Sequence, residues 1–265
     1  MKSLHNAVIW ITGASSGIGE AMAMQFAQEG ARLVLSARRE SELERVKLAT
    51  GLDTSQVLVL PLDMEQEGLF EAAVDKVISH FGQIDVLVNN AGISQRGHVL
   101  HSSMDVYKKL INLNYLAVVA LSKAVLPIFL KQKSGHFVAI SSISGKLGSP
   151  MRAGYAASKH ALHGFFDALR SEVTPDNIFV SLVCPGYIKT NISLNALGNN
   201  GELHGKMDSN QENGLSADYC AKKIALAIKK NKSEIYIGKK EVMGVYLKRF
   251  FPKILERILL NQAPK

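Results

Sequence analysis

Residues 7–19 decide the fold: Ala7-Val8-Ile9-Trp10-Ile11-Thr12 runs straight into Gly13-Ala14-Ser15-Ser16-Gly17-Ile18-Gly19. The first six residues are nearly all apolar, with β-branched Val8, Ile9, Ile11 and Thr12, as in a strand buried on both faces. The glycines let the backbone turn tightly and come close to a pyrophosphate. The helical pattern from residue 18 then presents free N–H groups to that anion. Strand, glycine turn and helix in this order form the phosphate-binding end of a dinucleotide unit. Gly13, Ser15, Ser16, Gly17, Ile18 and Gly19 are its candidate contacts. The spacing is G-x-x-x-G-x-G, a variant of the commoner G-x-G-x-x-G.

Outward from this turn, short apolar runs alternate with longer helical segments. Strands are expected at Ala7–Thr12, Arg32–Ala37, Val57–Pro61, Val86–Asn89, His136–Ser141 and Phe179–Cys184, with helices near 18–29, 40–49, 67–81, 105–131 and 155–173. Alternation of this kind predicts an α/β fold: a doubly wound, Rossmann-type parallel sheet of about seven strands with helices on both faces. The 265 residues, 47% of them hydrophobic, suffice for a large core and exclude a disordered or fibrous chain. Without an internal repeat or a Pro/Ser-rich linker, residues 1–265 read as one domain. The polar stretch 195–215 is the one long loop, and residues 187–215 form the expected substrate-loop region.

The second strand ends Leu35-Ser36-Ala37-Arg38-Arg39. An NAD site calls for an acidic residue here to hold the ribose hydroxyls; Ala37 stands in that place, and two guanidiniums suited to a 2′-phosphate follow. NADP(H) is therefore expected over NAD(H). Asp63, after the third strand, either accepts a hydrogen bond from the adenine amino group or caps the next helix.

Tyr155 and Lys159, four residues apart within 155–173, share one helix face. A nearby ammonium favours the phenolate and brings a group that ordinarily titrates near 10 closer to working pH. Tyr155 is thereby a candidate proton donor to a carbonyl oxygen. Ser142, which follows the strand ending Ile140-Ser141, is a candidate donor to the same oxygen or the pivot of a hydroxyl-stabilised turn.

With these motifs in hand, the chain resembles the short-chain dehydrogenase/reductase superfamily in its single-domain branch, over about residues 6–240. The resemblance rests on Thr12–Gly19, Asn89-Asn90-Ala91-Gly92, Asn114, Ser142, Tyr155, Lys159 and Pro185-Gly186-Tyr187-Ile188-Lys189-Thr190. It implies that Asn90, with Ala91 and Gly92, walls the cofactor pocket, and that Thr190 binds the nicotinamide carboxamide at the turn of Pro185, Gly186 and Ile188. It also implies that Lys159 holds the nicotinamide ribose while Asn114 supports a water relay behind it. Ala117 departs from the glycine that many members carry there. Ala139–Lys146, Tyr155–Ala161, Pro185–Thr190 and Val245–Arg249 are similar to the branch of dehydrogenase/reductase members 7 and 7B, carbonyl reductases with an N-terminal membrane anchor that is not read in this chain. The implied function is NADP(H)-dependent transfer of hydride between nicotinamide and a ketone or aldehyde, with Tyr155 as general acid/base. A cofactor-binding sensor or scaffold without turnover is the alternative. The implied partners are a small carbonyl or alcohol substrate, lipophilic by resemblance, and further copies of the chain in a homodimer or homotetramer. A sugar-nucleotide epimerase shares the tyrosine–lysine chemistry but is longer and differs in glycine spacing.

The formal charge of +8 is unevenly placed: residues 1–221 hold 19 basic and 20 acidic groups, and residues 222–265 hold 12 and 3. An evenly basic nucleic-acid-binding domain is disfavoured, and no nucleic acid is expected as a partner. The excess lies in the tail. There Leu247, Phe250, Phe251, Ile254, Leu255, Ile258 and Leu259 recur at helical spacing among Lys248, Arg249, Lys253 and Arg257. This pattern predicts one basic amphipathic helix over 244–260, despite Pro252. Packing on protein is its first expected role and contact with an anionic membrane surface its second. Two cysteines, Cys184 and Cys220, make no disulfide framework. The opening Met1–Asn6 shows no cleavage site, and no uninterrupted apolar run reaches the ~18 residues of a membrane span. The expected location is cytoplasmic. His160 and His163 lack a third ligand at metal spacing and read as packing residues, so no metal is expected. Trp10 and Cys184 read as core.

Overall fold

The computed structural model describes residues 3–260; Met1 and Lys2 of the opening stretch lie outside it. Seven strands form one sheet: β1 Val8–Thr12, β2 Arg32–Ser36, β3 Val57–Val59, β4 Val86–Asn89, β5 Gly135–Ile140, β6 Ile178–Pro185 and β7 Glu234–Ile237. All neighbours pair in parallel, in the order β3-β2-β1-β4-β5-β6-β7. The helices are α1 Gly17–Gln28, α2 Glu40–Thr50, α3 Phe70–Phe81, α4 Met104–Ile111, α5 Ala117–Gln132, α6 Ala153–Val173, α7 Ser209–Glu212, α8 Ala217–Lys229, α9 Met243–Phe250 and α10 Pro252–Leu260.

Alternate residues of each strand feed two cores. Ile9 and Ile11 of β1 meet Met22 and Phe26 of α1 and Ile224 and Ile228 of α8. Val8 and Trp10 point the other way, into a layer with Val77 of α3, Leu121 and Val125 of α5 and Phe166 of α6. Trp10 is fully buried, as its sequence context suggests, and its indole Nε1 donates to Ser36 Oγ at 2.9 Å. The helical stretch Met104–Gln132 is long and apolar enough by length and composition to cross a membrane. Leu121, Val125 and Phe129 of this stretch are nevertheless buried against the sheet.

Several elements differ from the expected pattern. The helix expected over 105–131 is interrupted by a π-helical turn at Asn112–Leu116, which adds a residue to the winding and turns Asn114 inward. The tail is two helices rather than one. Phe251 leaves helical geometry (φ −138°, ψ 58°) because the ring of Pro252 disfavours the α-region for the residue before it. Leu255 of α10 is buried with Ile143 and Leu147, and Val245, Leu247 and Leu259 pack around them, so the tail lies on its own domain. Its other side leaves Phe250 and Phe251 67% and 58% exposed. The 195–215 stretch folds back over the body: Leu197 bridges to Gln95 and packs in one cluster with Val106, Leu110 and Tyr155.

The edge strand β7 and helix α8 lie outside the placed elements. Strand β7 is held by Glu234, whose Oε2 meets Lys146 Nζ at 2.7 Å and His163 Nδ1 at 3.5 Å, and whose Oε1 accepts from the Tyr236 hydroxyl. Burial pushes this carboxyl up, but the bonds from His163, Lys146 and Tyr236 outweigh it and hold it at about 2, against an ordinary 4.5. A depressed carboxyl stabilises the fold above its unfolded value, and that stability is lost as pH falls through its folded value. Thermal unfolding followed by circular dichroism should therefore show Tm falling more steeply between pH 4.5 and 2 in the wild type than in Glu234→Gln.

Candidate active site

The strand order reverses between β1 and β4, and the carboxyl ends of these strands open a crevice there. A reciprocal clamp closes its floor. Thr12 Oγ1 accepts from the backbone N–H groups of Asn90 (3.0 Å) and Ala91 (3.1 Å), and Asn90 Nδ2 donates to the carbonyls of Thr12 (2.9 Å) and Gly13 (3.1 Å). Gly13 turns the chain at φ +64°, where a Cβ would stand 2.9 Å from Ala91 Cα. A Cβ on Gly19 would run into the Gly13 carbonyl oxygen. The helix start is thus drawn tight against the turn. Ser16 precedes α1 in extended conformation and makes no side-chain cap, so the first N–H groups of the helix are left for an outside acceptor. This bare cradle fits a pyrophosphate.

Tyr155 is positioned by the start of α6. Arg152, at the cap position, makes no capping bond. Gln95 reaches in from another segment, and its Oε1 accepts from the N–H groups of Gly154 (2.8 Å) and Tyr155 (3.3 Å). One turn on, Lys159 donates from Nζ to the Ile140 carbonyl at 2.8 Å and lies 6.0 Å from the Tyr155 ring centre. Ser142 makes the hydroxyl-stabilised turn, accepting from Ser144 N at 3.0 Å, and its hydroxyl donates to the Pro185 carbonyl at 3.4 Å. Asn114, fully buried, accepts from Ile93 N (2.9 Å) and donates to Ile93 O (2.9 Å) and Ser158 Oγ (3.0 Å).

The electrostatics differ in emphasis from the expected tyrosine–lysine pair. Burial pushes the Tyr155 phenol above its ordinary value, against the Ser142 hydrogen bond and the guanidiniums of Arg152 and Arg96. Burial also brings the Lys159 ammonium down to about 8. The phenol is therefore held protonated, and arginines are the cations that act on it.

A cavity of about 650 Å³ gathers Ile18, Asn90, Gly92, Ser142, Tyr155, Lys159, Pro185, Gly186, Ile188 and Thr190. These are expected cofactor and reaction residues from five separate segments. Gly13, Ser15, Ser16, Gly17, Gly19, Ala91 and Asn114 are not part of its lining. Asn114 Oδ1 and Lys159 Nζ approach the same point, where a Gly92 Cβ would stand 2.9 and 3.5 Å from them. Arg38 and Arg39 are exposed at the end of β2, away from the cavity. Leu62 N bonds Ala37 O (3.0 Å) just before Asp63, whose Oδ1 accepts from Glu65 N (3.0 Å) in a local turn; the cap position of the next helix is held by Gln66, so Asp63 does not cap that helix.

Four features were not legible in sequence spacing. Gln95 and Arg96 arrive from the loop after β4, and Asp208 ties Arg96 to Arg152. Leu147, Met243, Leu247, Leu255 and Leu259 give the cavity an apolar wall. His163, Cys184 and Glu234 bring donor atoms within 4.8 Å of one another, although the carboxylate is already taken by Lys146 and Tyr236. Residues so distant in the chain leave no local period to read.

Comparison with known proteins agrees with this geometry. The profile of the short chain dehydrogenase family matches residues 7–199. Human dehydrogenase/reductase SDR family member 7 is 44% identical over 94% of this chain and 75% of its own length. The bovine member 7B is 40% identical over 99% of this chain and 83% of its own. Among solved structures, a short chain dehydrogenase/reductase from Burkholderia phymatum in complex with NAD superposes with a TM-score of 0.86, at 25% identity and 96% coverage of both chains. One from Burkholderia cenocepacia in complex with NADP gives 0.81 at 21% identity, covering 97% of this chain and 99% of that one, a likeness of fold.

Removing the Asn114 side chain would strand the buried N–H and carbonyl of Ile93. Asn114→Ala should lose about 1–3 kcal/mol of stability in urea denaturation, the cost of buried polar groups left unpaired.

Proposed function

The chain belongs to the short-chain dehydrogenase/reductase family of nicotinamide-dependent oxidoreductases, and from that premise we propose that it is an NADP(H)-dependent carbonyl reductase, interconverting a ketone or aldehyde with its alcohol. The observation that carries the reading is the shared cavity: Ser142, Tyr155 and Lys159 face the residues of the expected nicotinamide end, Asn90, Gly92, Ile188 and Thr190. The bound cofactor supplies hydride to the carbonyl carbon. Tyr155, kept protonated by burial, passes its hydroxyl proton to the carbonyl oxygen, and the Ser142 hydroxyl donates to the same oxygen as negative charge develops there. Lys159, at about 8, is close enough to neutral pH to help restore that proton. Asn114, anchored on Ile93 beside it, holds the relay's place.

The NADP(H) preference is supported by Ala37 standing where an acid would hold the ribose, and by Arg38 and Arg39. Both guanidiniums are exposed and, among the described residues, meet no protein acceptor, which leaves them open to a 2′-phosphate.

Tyr155→Phe should lower kcat/KM for carbonyl reduction by about 10²–10⁴ while NADPH still binds. Undiminished turnover would refute the assignment of Tyr155. Absence of NADPH consumption across a panel of carbonyls, by a protein that binds NADPH, would favour the sensor or scaffold reading. In fluorescence titrations NADPH should bind about 10- to 100-fold tighter than NADH, and Arg38→Ala should erase most of that difference. Equal binding of the two cofactors by the wild type would contradict the preference.

A further inference from the structure

At the substrate end of the cavity, two arginines from separate segments converge on one carboxylate oxygen. Arg96 Nη2 and Arg152 Nη2 donate to Asp208 Oδ2 at 3.1 and 2.7 Å, and their side chains are only 8% and 16% exposed. Both line the cavity that holds Tyr155. Two guanidiniums against one carboxylate leave a positive charge uncompensated in a place with little water, where an unpaired charge is costly. Burial and the neighbouring Arg152 both work against the charged form of Arg96.

The donors are unevenly used. A guanidinium carries five N–H donors in a fork that matches an oxyanion. Arg96 gives Nη1 to Gln95 O (2.8 Å) and Ser94 Oγ (3.1 Å). Arg152 rests 5.8 Å from the Tyr187 ring centre and, among the described residues, gives only Nη2 to a protein acceptor. Its Nε and Nη1 donors are open. Of the other charged groups of the cavity, Lys159 Nζ donates to Ile140 O, Lys239 Nζ to Asn213 O, and Glu241 Oε1 accepts from Tyr187 N, while Lys240 is exposed to solvent, unlike the enclosed arginines. The tail side of the cavity is apolar, lined by Leu147, Met243, Leu247, Leu255 and Leu259.

We propose that Arg152, with Arg96 beside it, receives an oxyanion carried by the substrate, so that the carbonyl compound is an acidic amphiphile: its apolar chain lies against α9 and α10 and its carboxylate or phosphate on the arginine pair. This rests on the carbonyl-reductase reading and names the substrate class for it.

The test compares NADPH consumption on straight-chain oxo acids, with the ketone walked along the chain, on the methyl esters of the same acids, and on matching keto phosphate monoesters. At one or more ketone positions the wild type should prefer an anionic member to its ester by about 10- to 100-fold in kcat/KM, expressed mainly in KM. Whichever anion is preferred, carboxylate or phosphate, identifies the group. Arg152→Leu should erase the preference and Arg152→Lys should keep part of it. Asp208→Asn retains a residue able to cap α7 but removes the competing carboxylate, so it should keep or raise the preference. If the trio were only a structural staple, Asp208→Asn and Arg152→Leu would fall together on acids and esters alike, and the proposal would fail. Calorimetry on the NADP-loaded protein gives a readout without turnover: a saturated fatty acid should bind tighter than its methyl ester, and Arg152→Leu should remove the difference. Esters reduced as well as acids would overturn the anion site and leave the reductase reading standing. No consumption with any member of the series would overturn both.

Discussion

The contact on which the rest depends is the exchange between Thr12 and Asn90. Two strands that lie side by side in the sheet are far apart in sequence, and at their carboxyl ends the chain departs in different directions. The crevice this creates would splay without a tie. Thr12 supplies an acceptor to two backbone N–H groups of the β4 loop, and Asn90 returns two donations to the β1 turn. Four hydrogen bonds of about 3 Å fix the relative height of the glycine turn and the Asn90–Gly92 wall. The glycines are then a steric necessity: the gap the clamp leaves between Gly13 and Ala91 is too narrow for a side chain. Cofactor cradle and reaction chamber are in this sense one construction.

Burial, more than neighbouring charge, sets the protonation of the site. An exposed tyrosine beside a lysine would lean toward phenolate. Here the phenol is enclosed, the ammonium is itself weakened by enclosure and committed to the Ile140 carbonyl, and the cationic influence comes from Arg152 and Arg96. The desolvation of both members of the pair outweighs their attraction. A phenol raised in this way stays protonated in the free chamber, the form that has a proton to give.

What could be read from the sequence was whatever is local. Strand, glycine turn and helix occupy thirteen consecutive residues, and Tyr155 and Lys159 are one helical turn apart; period and spacing suffice for both. The same logic reaches α8, where Ser216 caps and Cys220, Ile224 and Ile228 recur every fourth residue. Strand β7 is different. Four residues with a glutamate at one end carry no convincing pattern, and Glu234 makes sense only once Lys146 and His163 are seen beside it. Gln95 holding the start of α6, or Asp208 drawing two arginines together, are products of tertiary proximity, and no period in the chain announces them. The break at Pro252 is masked by the apolar stripe, which continues in register from Leu247 to Leu259 across it, so periodicity alone reads as one helix while the steric rule for the residue before proline parts it into two.

Leu247, Leu255 and Leu259 of the chamber wall belong to α9 and α10, which follow the last strand, whereas the glycine turn, the Thr12–Asn90 clamp and Tyr155 are built on the sheet and the helices between its strands. The apolar side of the pocket is thus an addition laid on a finished sheet, and no strand pairing depends on it. The same arrangement separates two evolutionary tasks. Substitutions in α9 and α10 can redraw the chamber's lining without disturbing a single ladder of the sheet, so relatives that share the chemistry are free to diverge in diet.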